Sequence, residues 1–124
     1  MTNKIKKYII FLHCCIPLGL IGQSADTTLF VKQIDSLIKL SRDLTAKRDF
    51  DKALEINSTA EKIALEKLGL ESAGYASTVF NHGRVLHFKS DYSESEKWYL
   101  KSLDIREKLF GKEHPDYASS LHNL

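Results

Sequence analysis

The sequence predicts an all-α protein in which antiparallel helix hairpins stack one on the next as an α-solenoid. Three observations carry that prediction. Equivalent residues return at a fixed step of 42 positions, pairing Arg42 with Arg84, Leu44 with Leu86, Asp49 with Asp91, Ile63 with Ile105 and Gly69 with Gly111. The same step takes Tyr75-Ala76-Ser77 to Tyr117-Ala118-Ser119 and Asn81 to Asn123. Repeats at such a period mark solenoids, because one hairpin alone cannot bury its apolar face. Apolar residues also recur at three- and four-residue spacing, the period of an amphipathic helix. Beyond residue 24, Pro115 is the only proline in the sequence.

The N-terminal stretch stands apart from this pattern. Lys4, Lys6 and Lys7 precede a 15-residue apolar run, Tyr8 to Gly22, which is followed by Gln23-Ser24-Ala25. A basic start, a short apolar core and small residues at a cleavage point are the layout of a secretory signal peptide, expected here over residues 1–24. The alternatives are an uncleaved membrane anchor and a lipid-attachment cysteine. The run is shorter than the roughly 18 to 20 residues that span a bilayer, and Pro17 and Gly19 interrupt it. Neither Cys14 nor Cys15 follows the small residues that a lipidation site wants. The expectation is therefore an exported chain, periplasmic or secreted, with membrane contact only through the leader if it stays attached.

Both cysteines lie in that leader, so the remainder has no thiol for catalysis or metal binding. The charge divides in the same way. The chain carries 18 Lys and Arg against 16 Asp and Glu, and without the three leader lysines the balance is 15 to 16. A nucleic-acid-binding domain shows a basic patch or stripe, and this balance supports none.

Four helices are predicted in full. The first, about residues 28–47, places Leu37, Leu40 and Leu44 on one stripe. The second, about 50–68, places Ala53, Ile56, Ala60, Ile63 and Leu68 on another, closed by Gly69 at a position that suits a left-handed helix terminus. Ser72 sits where an N-cap belongs. The third, about 73–88, carries Ala76, Val79, Gly83 and Leu86. The fourth, about 92–110, carries Ser95, Tyr99, Ser102, Leu103, Ile105 and Phe110 before Gly111. Small residues at Ala53, Ala60, Gly83, Ser95 and Ser102 mark where packed helices come closest, since larger side chains would force them apart. Pro115 with Asp116 behind it suits a helix start. A fifth helix therefore begins there, with Leu121 and Leu124 expected to face solvent. Two full copies, 31–72 and 73–114, and the start of a third at 115–124 are fewer than the three or so an independent array needs, so the chain is expected to be a piece of a longer one.

These residues resemble the tetratricopeptide repeat, in the 42-residue form found in kinesin light chains and many bacterial repeat proteins. That form reads H-P-D-x-A-x-S-L-N-N-L-A, then Q-G-x-Y, then A-L-x-I-R-E-K and a closing L-G. Here stand His114-Pro115-Asp116-Tyr117-Ala118-Ser119-Ser120-Leu121-His122-Asn123-Leu124, Lys89-Ser90-Asp91-Tyr92 and Ser102-Leu103-Asp104-Ile105-Arg106-Glu107-Lys108-Leu109-Phe110-Gly111. The likeness covers roughly residues 31–124. It departs at Ser90 for the turn glycine, at Ser95 and Ser102 for alanines, and at His82 where a leucine usually packs.

The resemblance implies a right-handed superhelix whose inner surface, lined by the first helix of each pair, binds an extended peptide or a partner's helix. Carried over residue by residue, the inner positions are Asp35, Lys39, Arg42 and Thr45, then Ser77, Phe80, Asn81, Arg84, His87 and Phe88, then Ser119 and Asn123. Of these, Lys39, Arg42, Ser77, Asn81, Arg84, His87 and Asn123 are the expected peptide-binding set. An asparagine amide both donates and accepts, so Asn81 and Asn123 are expected to hold a peptide backbone. Arg42 and Arg84 recur one repeat apart and suggest a positive stripe suited to an acidic partner; the alternative is that each pairs with a neighbouring acid.

Catalysis has little support. His114, Asp116, Ser119 and Ser120 supply the residue types of a hydrolase triad, but they crowd into one helix start and suit capping instead. His82 and His87 lack the i, i+4 spacing of paired metal ligands, and no glycine-rich phosphate loop occurs. Trp98, Tyr92 and Tyr99 read as packing residues on the second helix. No cofactor and no metal are expected. The predicted role is a non-catalytic scaffold or adaptor, or alternatively the recognition region of a longer enzyme or sensor, such as a caspase-like peptidase or signalling kinase.

Overall fold

A computed structural model of the chain describes residues 20–124, with side chains from residue 26 onward. Most of the leader expected at 1–24, with its lysines and cysteines, lies outside the described residues. Among those residues there are five α-helices and no strand. They are α1 (Leu20–Ala46), α2 (Phe50–Leu68), α3 (Ala73–Phe88), α4 (Tyr92–Phe110) and α5 (Pro115–His122). No helix among them is long and apolar enough to cross a membrane.

α1 packs on α2 and α3 on α4 as two hairpins, α2 and α4 each meet the helix that follows, and α1 also lies against α3. The first helices α1 and α3 therefore stand side by side, as stacking of like units requires. The predicted α-solenoid is what the chain forms.

The turns show why the step is 42 residues. Arg48 and Ser90, one step apart, both take a positive φ, 63° and 70°. In each turn the next amide reaches back to the last helical turn, Asp49 to the Leu44 carbonyl at 3.0 Å and Asp91 to the Leu86 carbonyl at 2.9 Å. This is the Schellman closure, in which the left-handed residue lets an N–H return to a carbonyl the helix has orphaned. The second helices end alike, at Gly69 with φ 91° and Gly111 with φ 79°. A left-handed conformation costs a residue with a Cβ roughly 1 kcal/mol. Ser90→Gly should therefore raise stability by about 1 kcal/mol, seen as a higher urea midpoint at constant m; Arg48→Gly should do the same.

Helix starts follow the sequence closely. The Ser72 hydroxyl accepts from the Tyr75 amide at 3.1 Å, and the Asp91 carboxylate accepts from the Glu94 amide at 3.4 Å. α5 opens on Pro115, with the His114 imidazole accepting from the Asp116 amide at 3.1 Å.

The core runs between the hairpins. Ile34, Ile38, Ala60, Ala64, Tyr75, Ala76, Val79 and Ile105 form one buried cluster, with Leu37, Ile63, Leu68, Trp98 and Leu109 packed around it. The small residues lie where they were expected: Ala53, Ala60, Gly83, Ser95 and Ser102 are all buried. One stripe needs correction. In α1 the buried line is Ile34, Ile38, Ser41 and Thr45, while Leu37 and Leu44 are half-buried and Leu40 is exposed. The leucine pattern points one residue out of phase because Ser41 and Thr45, on the buried line, are polar. Both hydroxyls are satisfied internally, Ser41 on the Ala53 carbonyl at 2.9 Å and Thr45 on the Ser41 carbonyl at 2.8 Å, and so they tolerate burial. In α2, Ile56, Ile63 and Leu68 are only half-buried and Asn57 is fully buried. In α4, Phe110 is exposed. Leu121 and Leu124 are exposed, as expected.

The first-helix position Ser41 becomes Gly83 one step on, and the second-helix position Ala53 becomes Ser95. In the first hairpin Ser41 donates to the Ala53 carbonyl at 2.9 Å; in the second Ser95 donates to the Gly83 carbonyl at 2.8 Å. The same helix crossing keeps its hydrogen bond while the donor changes sides.

Candidate functional site

The face lined by α1, α3, the first half of α4 and the residues after α5 carries three adjoining clefts. The first, about 150 Å³, is walled by Arg42, Thr45 and Ala46 of α1 and by Asn81, Arg84 and Phe88 of α3. Arg84 and Phe88 also wall the second, about 380 Å³, which continues along Phe80, His87, Tyr99 and Asn123. His87, Tyr99 and Asn123 then pass into a third with Tyr92, Glu96 and Leu124. Of the expected set, Arg42, Arg84, His87 and Asn123 are thus brought onto one continuous surface, with Asn81 behind the first cleft. Lys39 is exposed and Ser77 half-buried, and neither lines these clefts.

Arg42 and Arg84 face the same cleft. Among the described residues no carboxylate comes within ion-pair distance of either, although six lysine–carboxylate pairs form elsewhere. The two are close enough to oppose one another: burial, then the Arg84 charge, pull the Arg42 guanidinium below its ordinary pKa, and Asp35 only partly offsets them. Arg84 lies over the Phe88 ring, 5.6 Å from its centroid. The pairing with neighbouring acids that the sequence also allowed is not formed.

Asn81 does not sit as expected. It is completely buried. One amide N–H donates to the Ser41 hydroxyl at 3.0 Å and the other to the Asn57 carbonyl oxygen at 2.9 Å, while its own oxygen accepts from Arg42 Nε at 3.2 Å. Both protons expected for a peptide backbone are already taken, so Asn81 lies beneath the cleft floor as a structural member. Asn123 is exposed, with its amide donating to the Ser119 carbonyl at 2.7 Å.

Sequence reading missed several residues. Tyr99 was assigned to packing and is indeed buried, with its ring 5.2 Å from Phe80, yet it also walls two of the clefts. Arg106 was read only as part of a repeat motif. It is buried, donates to the Asp116 carbonyl at 2.9 Å and to the Ser120 hydroxyl at 2.8 Å, and rests 4.6 Å from the Phe80 ring centroid. Burial lowers its pKa. Its alignment partner one step back is Ala64, so the period gave no warning. His114 caps α5 as read, whereas Ser120 lies within that helix and its hydroxyl accepts from the buried Arg106 instead.

On the other side of α3, His82 takes the leucine position and packs well. Its ring stacks on Trp98 with centroids 3.7 Å apart, and Nδ1 is buried without a hydrogen-bond partner, 3.8 Å from Glu61. Burial, then repulsion from Lys101, lowers its pKa to about 4. Lys101 also sits 3.8 Å from Glu61, which leaves that carboxylate less able to attract a proton to His82. Between pH 6.5 and about 4 the unfolded chain binds a proton here that the folded chain does not, so stability falls as the pH drops through that window. His82→Leu should remove this part of the acid-side loss, giving a flatter plot of urea midpoint against pH over the same interval.

Stacked helix hairpins of this kind define a helical-repeat protein. Comparison with known proteins makes this specific. The tetratricopeptide repeat family model matches residues 32–108 and again 75–124, two overlapping placements that step along the array, and the chain belongs to that family. It is similar to amyloid protein-binding protein 2 of Rattus norvegicus and of Mus musculus, in each case 28% identical over 91 residues. That alignment takes in 73% of this chain and 16% of either relative, so the chain spans about a sixth of their length. Repeats of this family generally mediate contacts between proteins.

Proposed function

We propose that the chain is a non-catalytic scaffold or adaptor that captures an acidic segment of a partner protein in the clefts lined by α1, α3 and α4. The observation that carries this is the pair Arg42 and Arg84, which share one cleft with no carboxylate within ion-pair distance among the described residues. Two guanidinium groups left facing each other cost electrostatic free energy that an incoming carboxylate recovers, and their forked donors match its geometry. Phe80, Phe88 and Tyr99 line the next cleft and supply apolar surface for the rest of the segment. Amyloid protein-binding protein 2 is by its name a binder of another protein, in keeping with such a role. Because the chain matches only 16% of that relative, the same face equally suits the recognition region of a longer protein.

The test is selection from a random peptide pool by the purified protein. Enrichment of Asp and Glu is expected, with loss of retention as salt rises, since exposed charges are screened beyond about 10 Å at 0.1 M. Arg42→Glu with Arg84→Glu should abolish the acidic preference; an unchanged selection by that double variant would rule the proposal out.

A further inference from the structure

We propose that Asn57, on the outer helix α2, is a positioning residue for the groove, acting through Asn81 to hold the Arg42 guanidinium in place, and that the two groove arginines therefore do different work. The inference rests on the acidic-segment reading above and names how that site is held.

The hydrogen bonds form a relay with one possible polarity. At one end is the Thr78 backbone carbonyl, which can only accept; it takes the Asn57 amide N–H at 3.0 Å. That turns the Asn57 oxygen toward Asn81, which must present its N–H, at 2.9 Å. Asn81 then shows its oxygen to Arg42 Nε, which can only donate, at 3.2 Å. Because both ends are fixed in character, neither amide can flip without breaking two bonds. Asn57 and Asn81 are both completely buried, so water cannot substitute for a lost partner. Ser41, fully buried, braces the middle of the relay by accepting the other Asn81 proton at 3.0 Å and donating to the Ala53 carbonyl. An exposed arginine ordinarily gives up substantial rotamer freedom when it closes on a carboxylate. Here Nε is tethered before any ligand arrives, and the terminal nitrogens have no carboxylate in ion-pair range among the described residues.

Nothing equivalent holds Arg84. One step along, Ser41 is replaced by Gly83 and Asn57 by Tyr99, and Asn123 turns its amide to the Ser119 carbonyl instead. Arg84 is left with the Phe88 ring at 5.6 Å. Arg42 is the fixed fork and Arg84 the adaptable charge. Lysine has no Nε–H to engage Asn81, so it cannot stand in for the first, whereas for the second it preserves the charge.

Fluorescein-labelled hexaglutamate, titrated into the full chain and followed by anisotropy, reads this difference. Arg42→Lys should weaken binding about tenfold, the scale of one charge-assisted hydrogen bond with its geometry, and Arg84→Lys several-fold less. Asn57→Leu should weaken binding with both arginines intact, and Ser41→Ala, the milder change, less so. The ligand-free readout is the Arg42 Nε–H resonance: protected from exchange in the parent chain and exposed in Asn57→Leu, while the melting transition stays cooperative. Equal losses for the two lysine variants, or an Arg42 Nε–H that exchanges as freely as in a surface arginine, overturns the proposal. If the parent chain fails to bind hexaglutamate, the acidic-segment function fails, and the exchange measurement still decides whether Asn57 holds Arg42.

Discussion

Gly83→Val is expected to destabilise the protein by about 3 kcal/mol, the upper range for forcing bulk into a packed core. A Cβ at this position would stand 3.0 Å from Tyr99 Cδ1, 3.1 Å from Cε1 and 3.2 Å from the Ser95 backbone oxygen. The ring has little freedom to withdraw, because Tyr99 is buried and packs on Phe80 at 5.2 Å. Backbone cannot withdraw either: Ser95 lies in the first turn of α4 and its hydroxyl grips the Gly83 carbonyl at 2.8 Å. Valine gains a few tenths of a kcal/mol over glycine in helix propensity, too little to offset the separation of α3 from α4. In the first hairpin the same position tolerates Ser41, because Asn57 stands where the second hairpin has the larger Tyr99. Tyr99→Asn should therefore recover part of the loss when combined with Gly83→Val. The check is urea unfolding of the single and double variants, with unequal and non-additive midpoints expected for residues in contact.

Asn81→Leu is expected to cost a similar amount, roughly 2 to 4 kcal/mol, for a different reason. Leucine nearly preserves the volume, so the loss is not that of a cavity. It strands the Asn57 oxygen, which accepts the Asn81 N–H at 2.9 Å, in a site with no exposure, and releases Arg42 Nε. Burying a polar group whose partner has been removed is more costly than the pair was favourable. An Asn57→Leu, Asn81→Leu double variant should lose less than the sum of the two single changes, because the second substitution removes the group that the first left unsatisfied. Additive losses would mean that the two asparagines are not coupled.

What the sequence made legible is the part of the molecule that repeats. Gly69 and Gly111 end equivalent helices, and the turn positions Arg48 and Ser90 share a left-handed backbone although neither is glycine. Ala53, Ala60, Gly83, Ser95 and Ser102 were readable as close-approach positions because steric room depends on residue size alone. The rest was hidden where polar side chains do the work of apolar ones. Ser41, Thr45, Asn57 and Asn81 are buried, yet each looks like a surface residue until its partner is known. Ser41 and Arg42 meet Asn81 from about 40 residues away in the chain, a pairing that periodicity cannot show. For the same reason Asn81 was expected in the groove and lies beneath it, and the buried Arg106 passed for an ordinary motif residue. The groove arginines were legible from their recurrence; that neither forms an ion pair required the folded arrangement.

The most direct measurement is a titration of the isotopically labelled chain with unlabelled hexaglutamate, followed residue by residue through NMR chemical shifts. Perturbations centred on Arg42, Arg84 and Phe88, extending to Tyr99 and fading toward the outer helix α2, are the predicted result. Shifts confined to α2, or the same response to hexalysine, would contradict an acidic-segment groove along α1, α3 and α4.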